Sequence, residues 1–332
     1  MALKMIRRRT VVLLAVAAAV SGTSISHAQT YPTRPISIVV PFTAGGGTDV
    51  LARALAEALG SSLKQAVIVE NVAGAGGTIG QAKVARSAGN GYTLLLGNVG
   101  TLAAATSLYR NLAYDVLQNF DPIASVGDVP QVLTVKAGFA NSYEEFVQYA
   151  RQHPGKVNYA SAGFGSGAHL GGILLNDAIG VDATYVHYRG AAQATADLMG
   201  GVVDYSVESI STAAANYSTG KVKGLAILGV KRASVLPSLP AATETKYPVQ
   251  FDLWNMLLVP KGTPKAIVGQ LNAAVSRAFQ DPKLIATFSR LGISIPPEDH
   301  RSVEGASKLL RSEVTRWRDL LQRVNIQPQA LN

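Results

Sequence analysis

The chain has 332 residues, 48% hydrophobic and 15% charged, with no Cys and a formal net charge of +9. That length supplies a sizeable core and suggests about two domains, and the lack of Cys excludes disulfides, thiolate catalysis and Cys-ligated metals together. The basic residues are scattered, with no stripe interleaved with aromatics, which argues against a nucleic-acid partner.

The chain opens on a basic segment, Lys4, Arg7, Arg8 and Arg9, followed by the apolar run 10–20 and then Ser26-His27-Ala28. This is the pattern of a signal peptide cleaved after Ala28. The apolar run is too short to read as a membrane span. Taking the leader's four basic residues from the +9 leaves +5 for an exported protein. No Cys is present to accept lipid near the cleavage site, so a soluble product is expected.

Beyond the leader, strand and helix patterns alternate. Ile36–Val40 reads as a strand and 48–59 as a helix. Val67–Glu70 reads as a strand, followed by the loop Gly74-Ala75-Gly76-Gly77 and a helix to about Ser87. The run 92–96 is nearly all apolar, as a strand buried on both faces should be. Val132–Val135 is a further strand. Ser142 and Glu145 form a capping box for a helix to Gln152. The segments 157–161, 185–187, 203–206 and 224–228 read as strands with helices between them. This alternation predicts α/β layers with mostly parallel strands. Phe251–Val259 reads as a strand, and 264–279 and 302–324 as long helices. In the last helix Val303, Ala306, Leu310, Val314, Trp317, Leu321 and Val324 form one apolar stripe, and Trp317 is expected to pack in the core. Turn-rich stretches at Asp121-Pro122, Gly127–Pro130 and Leu236–Pro240 suggest a discontinuous first domain with a second inserted. A ligand cleft between the two follows naturally.

Four loops precede helices at the carboxyl ends of strands, where ligands of open α/β sheets sit. They are 43–49, 74–78, 161–169 and 188–190. Glycine lets the backbone approach an anion closely, and a helix N-terminus offers unpaired N–H groups at the positive end of its dipole. Thr43, Thr48, Ser161 and Ser166 add hydroxyls. Asp49 either caps the first helix or faces a ligand amine or hydroxyl. Arg189 either pairs with a ligand carboxylate in fork geometry or makes a salt bridge.

Enzyme signatures fail on spacing. A dinucleotide fingerprint from Gly74 and Gly76 needs Gly at 79, which is Ile79. The phosphate loop is absent. Phe164 stands where the nucleophile elbow around Ser166 needs Gly. No two His are spaced as H-x-x-x-H, so neither a metal nor a cofactor is expected. Ser166 and His169 are near enough in sequence to meet as nucleophile and base. Helix capping by Ser166, with His169 packed beneath the cleft, is the simpler expectation.

These motifs resemble a known family. Pro41-Phe42-x-Ala44-Gly45-Gly46-x-x-Asp49 is similar to its first loop, and Glu70-Asn71-x-x-Gly74-Ala75-x-Gly77-x-x-Gly80 to its second. Gly91-Tyr92-Thr93-Leu94-Leu95, Ser161-x-Gly163-x-Gly165-Ser166-x-x-His169-Leu170 and Tyr188-Arg189-Gly190 follow in the expected order. The family is the Bug, or TctC-like, set of periplasmic solute-binding proteins of tripartite tricarboxylate transport, and the likeness runs from about Tyr31 to Ile326. Val72 replaces the usual Arg after Glu-Asn, and Gly89-Asn90-Gly91-Tyr92 replaces Pro-Asp-Gly-Tyr; neither change touches the proposed cradle.

The resemblance implies a type II periplasmic-binding-protein fold: two α/β lobes with a ligand cleft between them. Lobe 1 is expected from 29–128 and 252–332, and lobe 2 from 129–251. It also implies a small organic carboxylate or amino acid held mainly by backbone amides and hydroxyls. Loop reading and resemblance together give a candidate binding set of Phe42, Thr43, Ala44, Gly45, Gly46, Thr48, Asp49, Ser161, Ala162, Gly163, Gly165, Ser166, His169, Tyr188 and Arg189. The implied role is a monomeric periplasmic receptor serving the membrane permease subunits of a tripartite tricarboxylate transporter. The alternatives are a ligand-sensing partner of a signalling kinase and an exported serine hydrolase.

Overall fold

The computed structural model describes residues 31–331. The expected signal peptide, 1–28, lies outside the described residues. Tyr31–Thr33 carry neither helix nor strand, and the fold is that of the unit Arg34–Asn332.

The first stretch runs β1 (Ile36–Val40), α1 (Gly47–Leu63), β2 (Val67–Asn71), α2 (Thr78–Ala85) and β3 (Thr93–Asn98). A wide helical turn at Gly100–Ala104 leads into the short α3 (Ala105–Leu108), β4 (Tyr109–Arg110) and α4 (Val116–Asn119). Next come β5 (Phe120–Lys136), α5 (Tyr143–Gln152), β6 (Val157–Ser161), α6 (Gly167–Ile179), β7 (Ala183–His187), α7 (Ala191–Met199), β8 (Tyr205–Ser209), α8 (Ile210–Tyr217) and β9 (Val222–Ile227). The chain ends with β10 (Asp252–Pro260), α9 (Lys265–Ala278), α10 (Pro282–Leu291), α11 (Val303–Arg323) and β11 (Gln329–Ala330).

The strands run in the order β2-β1-β3-β10-β5-β8-β6-β7, with β9 also on β5. Two parallel sets, β2-β1-β3 and β8-β6-β7, are joined through β10 and β5, whose pairings are antiparallel. The expected parallel character therefore holds within each set and changes where the chain crosses between them.

β5 corrects the sequence reading. Asp121-Pro122 and Gly127–Pro130 were expected as turns, yet both lie inside a 17-residue strand. The register of β5 against β10 shifts twice, between Asn255 and Met256 and between Leu257 and Leu258. Pro lacks a ladder N–H and is tolerated beside such irregularities. Residues 120–130 pair with β10, while 131–136 pair with β8 and β9. One strand thus belongs to both halves of the sheet.

Helix ends follow their local chemistry. Ser142 Oγ accepts the Glu145 N–H at 3.1 Å, while the Glu145 carboxylate reaches back to the Asn141 N–H at 2.7 Å, one residue earlier than a capping box requires. α10 went unread in the sequence although its signals are local: Asp281 caps it, Pro282 opens it and left-handed Gly292 closes it. On α11 the stripe buries Ala306, Leu310, Trp317 and Leu321. Trp317 meets Phe251 edge to face at 6.0 Å. Glu313 is buried too, and accepts the Trp254 indole N–H at 2.9 Å. The crossing strand β10 is thereby pinned to the last long helix.

Candidate ligand-binding site

A cavity of about 650 Å³ opens between the two halves of the sheet. The loop before α1 and the loop 73–77 form one side, and Ala162–Phe164, Ser166 and His187–Gly190 form the other. The sides approach closely at the rims. Tyr109 OH donates to the Phe164 carbonyl at 2.6 Å. A Cβ on Gly47 would stand 2.8 Å from Ser209 Cβ, and one on Gly190 would stand 2.6 Å from Thr43 Oγ1. Gly190 also has φ +147°, a conformation other residues rarely adopt.

Three helices begin at this cavity on a glycine. α1 follows Gly46, α2 follows Gly77 and α7 follows Gly190, and none has a side-chain cap, although the first N–H of α2, that of Thr78, donates to the Ala75 carbonyl of the turn before it. The first N–H groups of an α-helix have no intrahelical partner, and they carry the positive end of its dipole. All three glycines line the cavity. α6 is different, because Ser166 Oγ accepts the His169 N–H at 3.2 Å and caps the helix from within.

Of the candidate residues, Phe42, Thr43, Gly46, Thr48, Asp49, Ala162, Gly163, Ser166, Tyr188 and Arg189 line the cavity, whereas Ala44, Gly45, Ser161, Gly165 and His169 do not. The second group is engaged elsewhere where hydrogen bonds exist. The Gly45 N–H donates to Asp49, and the Gly165 N–H to His169 Nδ1. Ser161 Oγ pairs with His187 Nδ1 at 2.6 Å.

Asp49 gathers the first loop. Its carboxylate accepts from Gly45 N–H, Asn71 Nδ2 and both Nε and Nη2 of Arg53. Burial alone raises its pKa, but bonds from Arg53, Gly45 and Asn71 outweigh that and hold it below the ordinary value. Thr48 Oγ1 accepts from Asn98 Nδ2 at 3.0 Å and donates to Asn255 at 2.9 Å. Arg189 is exposed, and has no ion-pair partner among the described residues. It is the one cationic side chain among the described cavity-lining residues.

His169 does not suit general-base work. Burial, and then neighbouring His187, push its pKa down to about 3, and its Nδ1 lone pair already accepts the Gly165 N–H. Among the described residues no cluster of His, Asp or Glu is placed to hold a metal, and no helix is long and apolar enough to cross a membrane.

The cavity wall also includes residues outside the candidate set: Asn98, Tyr109, Gln131, and Ser206 to Ser209 of β8. The loop 74–77 carried a sequence signal in its glycines. The β8 residues carried none, since an alternating strand does not reveal what its polar face meets.

Gly100 has an ordinary backbone conformation, but a Cβ there would overlap the Gly165 carbonyl oxygen across the rim. Gly100→Ala is expected to hold the rims apart and weaken ligand binding about tenfold or more, since overpacking costs about 1–3 kcal/mol. Calorimetric titration checks this, and unchanged affinity contradicts it.

A two-halved α/β sheet with a deep interlobe cleft, lined by helix N-termini from both sides, defines a solute-binding protein of the type II periplasmic-binding-protein fold. The structure aligns with BugD, a periplasmic binding protein, at TM-score 0.84 and 36% identity, over 90% of this chain and 100% of that one. MatC (Rpa3494) from Rhodopseudomonas palustris with bound malate aligns at TM-score 0.82 and 36% identity, covering 88% and 100%. R. palustris Rpa4515 with adipate aligns at TM-score 0.85 and 30% identity, covering 90% and 100%. In sequence the chain is 36% identical over 297 residues to Protein BugT of Bordetella pertussis, covering 87% of this chain and 89% of that one. The family model for the tripartite tricarboxylate transporter family receptor, TctC, matches residues 51–326. The chain belongs to that family.

Proposed function

We propose that this protein is a periplasmic receptor that captures a small organic carboxylate and presents it to a tripartite tricarboxylate-type permease. The observation that carries this reading is the convergence of three glycine-started, uncapped helices on one cavity from both halves of the sheet. Main-chain donors at helix N-termini suit a carboxylate, and Arg189 adds a positive charge at the wall. The malate and adipate held by two relatives are of this class.

Among the described residues the lobes are the two halves of the sheet, 34–128 with 252–331 and 129–251, and β5 and β10 join them as the hinge. Closure excludes water and strengthens amide dipoles acting on the anion. Binding without turnover fits the engaged state of Ser166 and His169. Periplasmic residence fits the signal-peptide pattern and the family.

The test is a thermal-shift and calorimetric screen of C3 to C8 mono- and dicarboxylates and amino acids, with mass spectrometry of co-purified molecules. At least one carboxylate should raise the melting temperature by mass action, about 2.7 kcal/mol at a hundredfold excess over Kd. If no acid binds, or an uncharged amide analogue binds as tightly as its acid, the receptor reading fails. Loss of uptake on deleting the permease subunits supports delivery, and intact uptake overturns that part.

A further inference from the structure

The candidate cradle accounts for one part of the cavity. Another part is walled by β6, β8 and α7, where Ala160 and Ala194 are apolar and Ser206, Glu208 and Thr195 are polar. Ser206 is 3% exposed and Glu208 8%. They stand two apart on one strand, on the same face and about 7 Å apart along it.

Their polar atoms are incompletely satisfied. Glu208 Oε1 accepts from Thr195 Oγ1 at 2.5 Å. Oε2 and Ser206 Oγ have no hydrogen-bond partner. The Thr134 hydroxyl lies beside the Glu208 carboxyl, partly offsetting the rise that burial gives its pKa, and also pairs with Tyr217 OH at 3.0 Å. Two buried polar groups of this kind each cost free energy unless something arrives to pair them. No cationic side chain lines this part of the wall.

We propose that Ser206 and Glu208 form a second subsite that reads a neutral hydroxyl group on the ligand, remote from the carboxylate held at the helix N-termini. A hydroxyl is both donor and acceptor. It gives its proton to Glu208 Oε2 and receives one from Ser206 Oγ–H. A second carboxylate would face the Glu208 carboxyl with no cation to neutralise it, and an unsubstituted chain would leave both protein groups unpaired. The ligand is therefore a hydroxylated organic acid with a single strongly anchored carboxylate. This inference rests on the receptor reading given above.

The test uses matched acids of three to six carbons. Each ω-hydroxy acid is compared with its unsubstituted, ω-amino and α,ω-dicarboxylate counterparts by calorimetry, on the parent protein, Glu208→Leu, Glu208→Gln and Ser206→Ala. A circular-dichroism melt confirms folding. For at least one chain length the parent should prefer the hydroxy acid by about ten- to a hundredfold, because a site built to pair a hydroxyl rejects the analogue lacking it. Glu208→Leu and Ser206→Ala should each cut that preference severalfold, in part by removing the group that an unsubstituted acid leaves unpaired. Glu208→Gln, which keeps an acceptor, should retain part of it, and with Ser206→Ala supplies the readout if Glu208→Leu fails to fold. Equal binding of hydroxylated and unsubstituted acids by parent and variants overturns this subsite and leaves the receptor reading standing. A preference for the amino acid or the dicarboxylate overturns the hydroxyl assignment in the same way. Failure of every acid to bind the parent overturns both.

Discussion

Gly46→Asp is expected to lower carboxylate affinity at least about a hundredfold while leaving thermal stability equal to the parent's or slightly higher. Gly46 precedes α1 with φ −77° and ψ 164°, the extended conformation an N-cap residue adopts. A Cβ there meets nothing nearer than the Thr43 carbonyl at 4.0 Å, so a side chain fits. Asp is among the best N-caps, but Gly is itself tolerated there, so the new cap should contribute only about a few tenths of a kcal/mol to the helix. The same carboxylate would occupy the N–H groups proposed to hold the ligand and repel its charge. Hydrogen bonds to charged groups are worth about 1.5–3 kcal/mol each, so losing two corresponds to a hundredfold or more. Gly46→Asn separates the two effects, because it caps without charge and should weaken binding less. Calorimetry and melting curves on the same samples decide the matter. Undiminished affinity in Gly46→Asp shows that this helix end holds no anion, and a collapse in melting temperature shows that the glycine is needed for folding instead.

Asp128→Asn is expected to stabilise the protein above pH 7 and to have little effect near pH 4. Asp128 lies in β5 opposite Trp254 of β10, where the chain crosses between the halves of the sheet. Burial, and then the charge of Asp252, push its carboxyl up to about 7 from an ordinary 3.8. Asp252 is itself raised by burial, an effect only partly offset by Gln250 and Arg316. In the folded state Asp128 keeps its proton after the unfolded chain has lost it. Stability is therefore fullest below about pH 4, falls as pH rises to about 7, and levels off beyond. Three pH units correspond to about 4 kcal/mol as a ceiling. The Asp128 backbone N–H and carbonyl both pair with Ser294, bonds that Asn retains. Urea midpoints at pH 4, 5.5, 7 and 8.5 should show the gap between variant and parent opening up to pH 7 and then holding. A gap that is the same at every pH contradicts the assigned titration.

How far the site could be read from the sequence depended on how local its physics was. A β-branched run, a glycine loop and a helix-forming run are all contained between Ile36 and Leu63, so the exposed amides at the start of α1 could be expected without knowing what surrounds them. The same locality made Ser142 and Ser302 readable as helix starts. Ser166 showed the limit. Its position at a helix start was legible, but only the folded loop decides that its hydroxyl turns inward to cap α6.

Other features were not local at all. Asp121-Pro122 and Gly127–Pro130 carry turn chemistry, and pairing with β10 through two register shifts overrode it, making one long strand of the segment. Ser206 and Glu208 alternate with Tyr205 and Val207 as they would in a strand with one wet face. α7 covers that face instead, leaving two buried polar groups beside the cavity.

The alternation of strands and helices, the glycine loops that expose main-chain donors and membership of the receptor family are each written in contiguous residues, and so could be read without the fold. Tertiary structure alone decided that loops more than a hundred residues apart meet at one cleft, that Asp49 is committed to Arg53, Asn71 and Gly45, that Glu208 is buried and that Asp128 is half-buried beside Asp252. Burial and long-range pairing depend on what the rest of the chain places alongside a residue, and no window of sequence contains that.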